Sequence, residues 1–235
     1  MNLKEIDPMK KLPLAVLAAL GMMAGSVQAD VISGGSFGIV EETTEITQSG
    51  NLDKFDTTLG TLTSAKIILE GSMTSTITLE NTAAQDQTVQ ATGSVELGWG
   101  DDLGGALGLP GLFSGIFVLD VITGPQTLSP GQTASIGPLN DVDMAMFTYN
   151  DAATLGALSG GAGDMFAVTC ESLSGLALQG GGGNVNSSQQ TTAGCGASIE
   201  YTFDAAPPPQ PMPLPAPLAL LGLGRVGLGI ARRRS

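Results

Sequence analysis

The sequence predicts an all-β fold, a single antiparallel β-sandwich domain with Gly-rich loops. Three observations carry that expectation. Apolar and polar residues alternate with period two in several separate windows, threonine is abundant, and no window holds a sustained helical apolar period. Successive side chains of a strand point to opposite faces, so each alternating window offers one apolar face to a core. Threonine, being β-branched, suits the other face.

The elements follow in chain order. Residues 65–70 read as a strand with Ile67 and Leu69 on the side opposite Ile68. In residues 73–80 the odd positions are mostly apolar and the even ones polar. Residues 88–97 repeat the pattern: Val89, Ala91, Gly93, Val95 and Leu97 share one face, and Thr88, Gln90, Thr92, Ser94 and Glu96 the other. The mostly polar residues 81–86 between these two strands predict a hairpin connection. Residues 103–119 are apolar enough to resemble a transmembrane helix, but they hold five glycines and a proline. They read instead as a Gly-rich loop leading into a buried strand at 115–121. Further on, Phe166, Val168 and Cys170 alternate with Met165, Ala167 and Thr169. Ala197, Ile199, Tyr201 and Phe203 alternate with Ser198, Glu200 and Thr202. The Gly-rich segments 159–163 and 180–184 would break a helix.

Composition narrows the chemistry. The chain has 235 residues, no histidine, one Trp and two Cys, and a formal net charge of −13. Without histidine there is no Ser-His-Asp triad, no Cys-His pair and no imidazole-bound zinc. Between residues 30 and 210 the bases are Lys54 and Lys66 against twenty carboxylates, a net −18. Such a surface favours solubility, repels polyanions and argues against nucleic acid as a partner.

The two ends read as addresses. Lys4, Lys10 and Lys11 form a basic region ahead of an apolar stretch, residues 12–24. Val27 and Ala29 then stand at the −3 and −1 positions of a signal-peptidase site, with cleavage before Asp30. A buried N-terminal helix is the alternative. At the other end, residues 207–217 hold seven prolines in eleven positions, a stiff polyproline II spacer. An apolar Leu/Gly-rich stretch, 218–231, follows, and Arg232, Arg233 and Arg234 nearly close the chain. Arginines after an apolar segment hold that end in the cytoplasm. Arg225 divides the stretch, and a central arginine costs about 2.5–3.5 kcal/mol on insertion scales. The stretch is also shorter than the roughly 20 residues of a stable span, which favours a transient inner-membrane anchor. A disordered Pro/Gly/Arg tail is the alternative.

Pro213, Leu214, Pro215 and Ala216, the short apolar segment and the arginine cluster together resemble the PEP-CTERM class of bacterial sorting signals, in its VPLPA-type variant. Met212 stands where that variant has Val. The resemblance implies recognition by an exosortase-like membrane protease that removes the anchor after export. The body, residues 30–206, is similar to the choice-of-anchor E domain family. The likeness rests on Phe55-Asp56-Thr57-Thr58-Leu59-Gly60-Thr61-Leu62, on the two Thr-rich strands after it, and on residues 197–203 just before the proline spacer. It implies an exported β domain and brings no catalytic residues.

Few residues offer chemistry of their own. Cys170 and Cys195 lie on the apolar parity of their strands in a chain bound for an oxidising compartment, which predicts a disulfide pinning the Gly-rich excursion between them. Two separately buried thiols are the alternative, and no base is at hand to activate a catalytic thiol. Asp101 with Asp102, Asp141 with Asp143, Asp151 and Asp164 are acids in loop-like surroundings where oxygen-rich Ca²⁺ sites can form, or turn formers and solvated acids. Asp56-Thr57-Thr58 lacks the glycine of an aspartic-protease loop, and Asn186-Ser187-Ser188 satisfies a glycosylation sequon. Residues 187–192 are a Ser/Thr-rich segment suited to O-glycans. No catalytic residue and no cofactor are assigned. The expectation is an exported, non-enzymatic protein of the cell surface or extracellular matrix, sorted by an exosortase-type system and associated with exopolysaccharide or biofilm. The alternative is a secreted carbohydrate- or calcium-binding β-sandwich module.

Overall fold

The computed structural model describes residues 29–115 and 117–207. Along these residues run β1 (Ala29–Phe37), β2 (Glu42–Thr43), β3 (Thr47–Asp53), β4 (Phe55–Asp56), β5 (Gly60–Asn81), β6 (Gln87–Asp101) and β7 (Val118–Ile122). After them come β8 (Gln126–Leu128), β9 (Thr133–Tyr149), α1 (Ala152–Leu158), β10 (Ser159–Gly160), β11 (Met165–Gly180) and β12 (Val185–Ala205). One sheet has the order β1-β12-β5-β9 with β2 beside β12, and the other the order β3-β11-β6-β7 with β8 beside β6. All neighbours within both sheets are antiparallel. A two-residue parallel pair, β4 with β10, closes one end. The predicted antiparallel sandwich is the architecture found.

Parity decides the core. The inward residues Ile67, Leu69, Ile77 and Leu79 of β5 face Val89, Ala91, Val95 and Leu97 of β6, all buried. Phe166, Val168 and Cys170 of β11, and Ala197, Ile199, Tyr201 and Phe203 of β12, are buried on the faces that alternation predicted. The windows 65–70 and 73–80 turn out to be one strand of 22 residues. Nothing interrupts it at Gly71, where a Cβ would lie 2.4 Å from Leu97 Cδ1 and 2.5 Å from Phe117 Cε1. The missing side chain admits the ring of Phe117, the residue just before β7.

The predicted hairpin is not formed. β5 pairs with β12 and β9, whereas β6 pairs with β11, β7 and β8, so residues 82–86 arch from one sheet to the other. Period-two alternation fits either arrangement, because a hairpin points both apolar faces the same way and an arch points them at each other. Asn81 secures the arch. It is fully buried, its Nδ2 donates to the carbonyls of Gln85 at 2.8 Å and Leu128 at 2.9 Å, and its Oδ1 accepts the Ala83 N–H at 2.8 Å. Replacing it orphans three backbone groups, one of them on β8 in the facing sheet. Asn81→Ala is expected to cost about 2–3 kcal/mol, read as a lowered urea midpoint with an unchanged slope.

The predicted buried strand at 115–121 starts only at Val118, and it is half exposed: Val118 and Ile122 face solvent while Leu119 and Val121 are buried. It pairs with β6 alone and forms an edge, so one face stays open. The seven-residue α1 was not foreseen, since two buried positions, Thr154 and Leu158, are too few to make a visible period. Finally, the stretch between the two cysteines is largely strand. β11 and β12 continue through it and only Gly181–Gly183 forms a 3₁₀ turn.

Candidate functional site

Cys170 of β11 and Cys195 of β12 form the disulfide, their Cα atoms 6.4 Å apart. Because β11 and β12 belong to different sheets, the bond staples the sandwich across its core. Both half-cystines are buried. Trp99 is the cross-strand partner of Cys170, so the single tryptophan flanks the bond and meets the Phe117 ring edge-on at 6.2 Å. Gln48 of β3 supports the same region: its Oε1 accepts the Cys195 N–H at 3.1 Å and its Nε2 donates to the Val40 carbonyl at 2.7 Å.

That last bond pulls residues 38–41 over the first sheet, where Glu41 fastens them. Its Oε2 accepts the Thr192 hydroxyl at 2.7 Å, and its Oε1 accepts those of Ser72 at 2.9 Å and Thr74 at 3.3 Å. Partial burial pushes the Glu41 carboxyl up, but the three hydroxyl donors outweigh it and hold its pKa below the usual carboxylate value. Gly194 and Gly196 lie beneath this segment: a Cβ on Gly194 would meet Ile39 Cγ2 at 2.8 Å. A depressed folded-state pKa means stability that is present above the unfolded value of about 4.5 and lost as pH falls through the lower folded one. Glu41→Gln is expected to remove that part of the acid limb of stability. Since Glu41 is solvent-exposed, the effect is about 0.5 kcal/mol or less, read by thermal melts from pH 6 to about pH 3.

The acids singled out in the sequence do not converge. Asp101 Oδ1 accepts the N–H groups of Leu103 and Gly105, and Asp102 Oδ1 accepts that of Ala167. Asp141 takes the N–H groups of Asp120 and Val142, and Asp143 that of Met144. Asp151 caps α1 by accepting the Thr154 N–H at 2.9 Å, which lowers its pKa, and Asp164 accepts from Gly161. Asp101, Asp143, Asp151 and Asp164 fasten nearby backbone, whereas Asp102 reaches β11 and Asp141 bridges β9 to β7 in the facing sheet. Among the described residues no group of three His, Cys, Asp or Glu side chains could hold a metal ion. Millimolar Ca²⁺ is expected to leave the melting temperature unchanged; a rise of several degrees would place a cation on the native state.

Other candidates resolve as follows. Asp56 Oδ1 accepts both the N–H and the hydroxyl of Thr58, forming an Asx turn. Asn186 is exposed on β12 and its Nδ2 reaches Glu80 Oε2 at 3.5 Å. The Gly-rich loop before β7 is tied down by Tyr149, whose hydroxyl donates to the Leu107 carbonyl at 2.7 Å. Burial and the nearby Asp101 carboxylate push the Tyr149 phenol up to about 12. Of the export residues, Ala29 pairs with Asp204 and Asp30 with Phe203, so the expected cleavage falls at the first bond of β1. Val27, the sorting residues Pro213, Leu214, Pro215 and Ala216, and Arg232, Arg233 and Arg234 lie outside the described residues.

One surface feature escaped the sequence reading. On the outer side of the first sheet, Ile39, Glu70, Gly71, Val142, Asp143 and Met144 line an open groove of about 410 Å³. Val142 and Met144 are apolar on the outward positions of the edge strand β9, whose inward positions carry Asp141 and Asp143, so alternation there points to the wrong face; Ile39 lies on the segment between β1 and β2.

No family model matches the chain, and no curated protein matches it. Among solved structures it shows similarity to infectious bursal disease virus of the Gx strain, at 14% identity and a TM-score of 0.19, covering 78% of this chain and 42% of that one. The Gt strain gives 13% identity and the same TM-score, covering 78% and 43% respectively. The chain thus spans under half the length of those proteins, and superpositions this loose carry no argument.

Proposed function

We propose that the chain is an exported, non-enzymatic protein of the cell surface or extracellular matrix. The residue order of the tail carries this reading: Pro213-Leu214-Pro215-Ala216, a short apolar stretch, then Arg232, Arg233 and Arg234. The signal-peptide segment takes the chain across the inner membrane, the tail holds it there briefly, and an exosortase-like protease releases the body near exopolysaccharide. The body supports the reading in two ways. A disulfide-stapled sandwich suits an oxidising exterior, and Asp101, Asp102, Asp141 and Asp164 each have a structural use in accepting backbone N–H groups. The test is fractionation of cells producing Pro215→Asp. The variant is expected to collect in the membrane fraction with its tail uncut, while the unaltered protein is found in the supernatant. Equal release of both would overturn the sorting reading.

A further inference from the structure

The groove on the first sheet is lined by apolar side chains and has the carboxylate of Glu70 at its edge. Val142, Met144 and Met146 of β9 project from it, exposed, beside Ile39 and Val40 of the crossing segment. Half-buried Ile68 is the cross-strand partner of Met146, and Glu70 that of Met144. A contiguous apolar patch on an otherwise charged surface marks a binding surface, and methionines adapt to irregular partners. Glu70 borders it on the same face as its partner Met144, whereas Asp143 pairs with Gly71 and faces the other way; the one ion pair among the described residues, Lys66 with Glu200, leaves Glu70 out. The surface therefore calls for an apolar segment bearing an isolated positive charge.

The chain has such a segment. Residues 218–231 are Leu/Gly-rich and carry Arg225 near their middle, the charge that makes them a poor bilayer span. The lengths agree as well. Ala205 pairs with Gly60 and the Ala206 N–H donates to the Leu59 carbonyl, so the chain leaves the sheet at the Gly60 end of β5. Glu70 and Gly71 stand ten and eleven residues farther along that strand, about 35 Å at roughly 3.3 Å per residue. The proline spacer, residues 207–217, spans about 34 Å at roughly 3.1 Å per residue. Doubling back along the sheet, it delivers residue 218 to the mouth of the groove.

We infer that residues 218–231 dock in cis on the outer face of the first sheet, leucines on Ile39, Val142, Met144 and Met146, and Arg225 against Glu70. Docking shields the apolar segment while the uncut chain is in water, and it competes with insertion into a membrane. The inference does not depend on which protease, if any, cuts the tail.

Methionine oxidation tests it, with an internal reference. Met144, Met146 and Met165 are 54%, 60% and 57% exposed in the folded body, and Met165 lies on the other sheet. Oxidation by dilute peroxide follows exposure, so the body alone would oxidise all three alike. In the full chain, free of detergent, Met144 and Met146 are expected to oxidise several-fold more slowly than Met165. Arg225→Glu should abolish the difference, and adding Glu70→Arg to it should restore protection. Equal rates in the unaltered chain would overturn the inference. So would protection that survives Arg225→Glu, which would assign the patch to residues 12–24. Protection that fades on dilution would assign it to a second copy and overturn it equally.

Discussion

Replacing Cys170 and Cys195 together by alanine is expected to lower the stability of the body by about 3.5 kcal/mol. The estimate is the loop-closure entropy released when a 25-residue crosslink is lost from the unfolded chain. The placement of the bond makes the loss hard to offset locally, since β11 and β12 lie in different sheets. Urea titration of the oxidised protein and the double variant measures it. Trp99, buried directly across from Cys170, is the fluorescence reporter of unfolding in both proteins. A difference below about 1 kcal/mol would mean that the core alone holds the sheets in register.

Phe55→Ala is expected to cost a similar amount, about 3–5 kcal/mol, the range for deleting a buried aromatic side chain. Phe55 is fully buried, with its ring 5.8 Å from that of Tyr201 and 5.1 Å from that of Phe203. It sits on the two-residue strand β4, whose one ladder partner is β10, so packing and not pairing holds it. The Tyr201 hydroxyl donates to the Asp53 carbonyl at 2.7 Å, and burial, with the Asp53 carboxylate nearby, pushes its phenol pKa well up. Losing the Phe55 ring loosens this whole end of the sandwich, where both β1 and the tail emerge. Phe55→Leu, which keeps most of the volume, should lose much less.

The core was legible in the sequence because alternation is a local property. Val89, Ala91, Val95 and Leu97, and Ile199, Tyr201 and Phe203, fall on the buried side as the pattern requires. Pairing is not local, and there the reading failed. The link after Asn81 satisfies a hairpin and an arch equally well until the partners of β5 and β6 are known. One signal was available: Asn81 continues the inward parity of β5, and a polar side chain at a buried position has to hold backbone groups. The disulfide could be foreseen from parity and compartment, though not its role as an inter-sheet staple. Glu41 and the outer-face groove were invisible for a different reason. Both arise where residues 38–41 cross β12, a long-range contact permitted by Gly194 and Gly196 that leaves no periodic trace.

The most direct test of the account is the intact mass of the protein recovered from membranes and from culture supernatant, before and after reduction and alkylation. The expected result is a supernatant species that begins at Asp30, ends near Pro215 and gains alkyl groups only after reduction, as one disulfide between Cys170 and Cys195 requires. A species found in the membrane alone and still ending at Ser235 would contradict it.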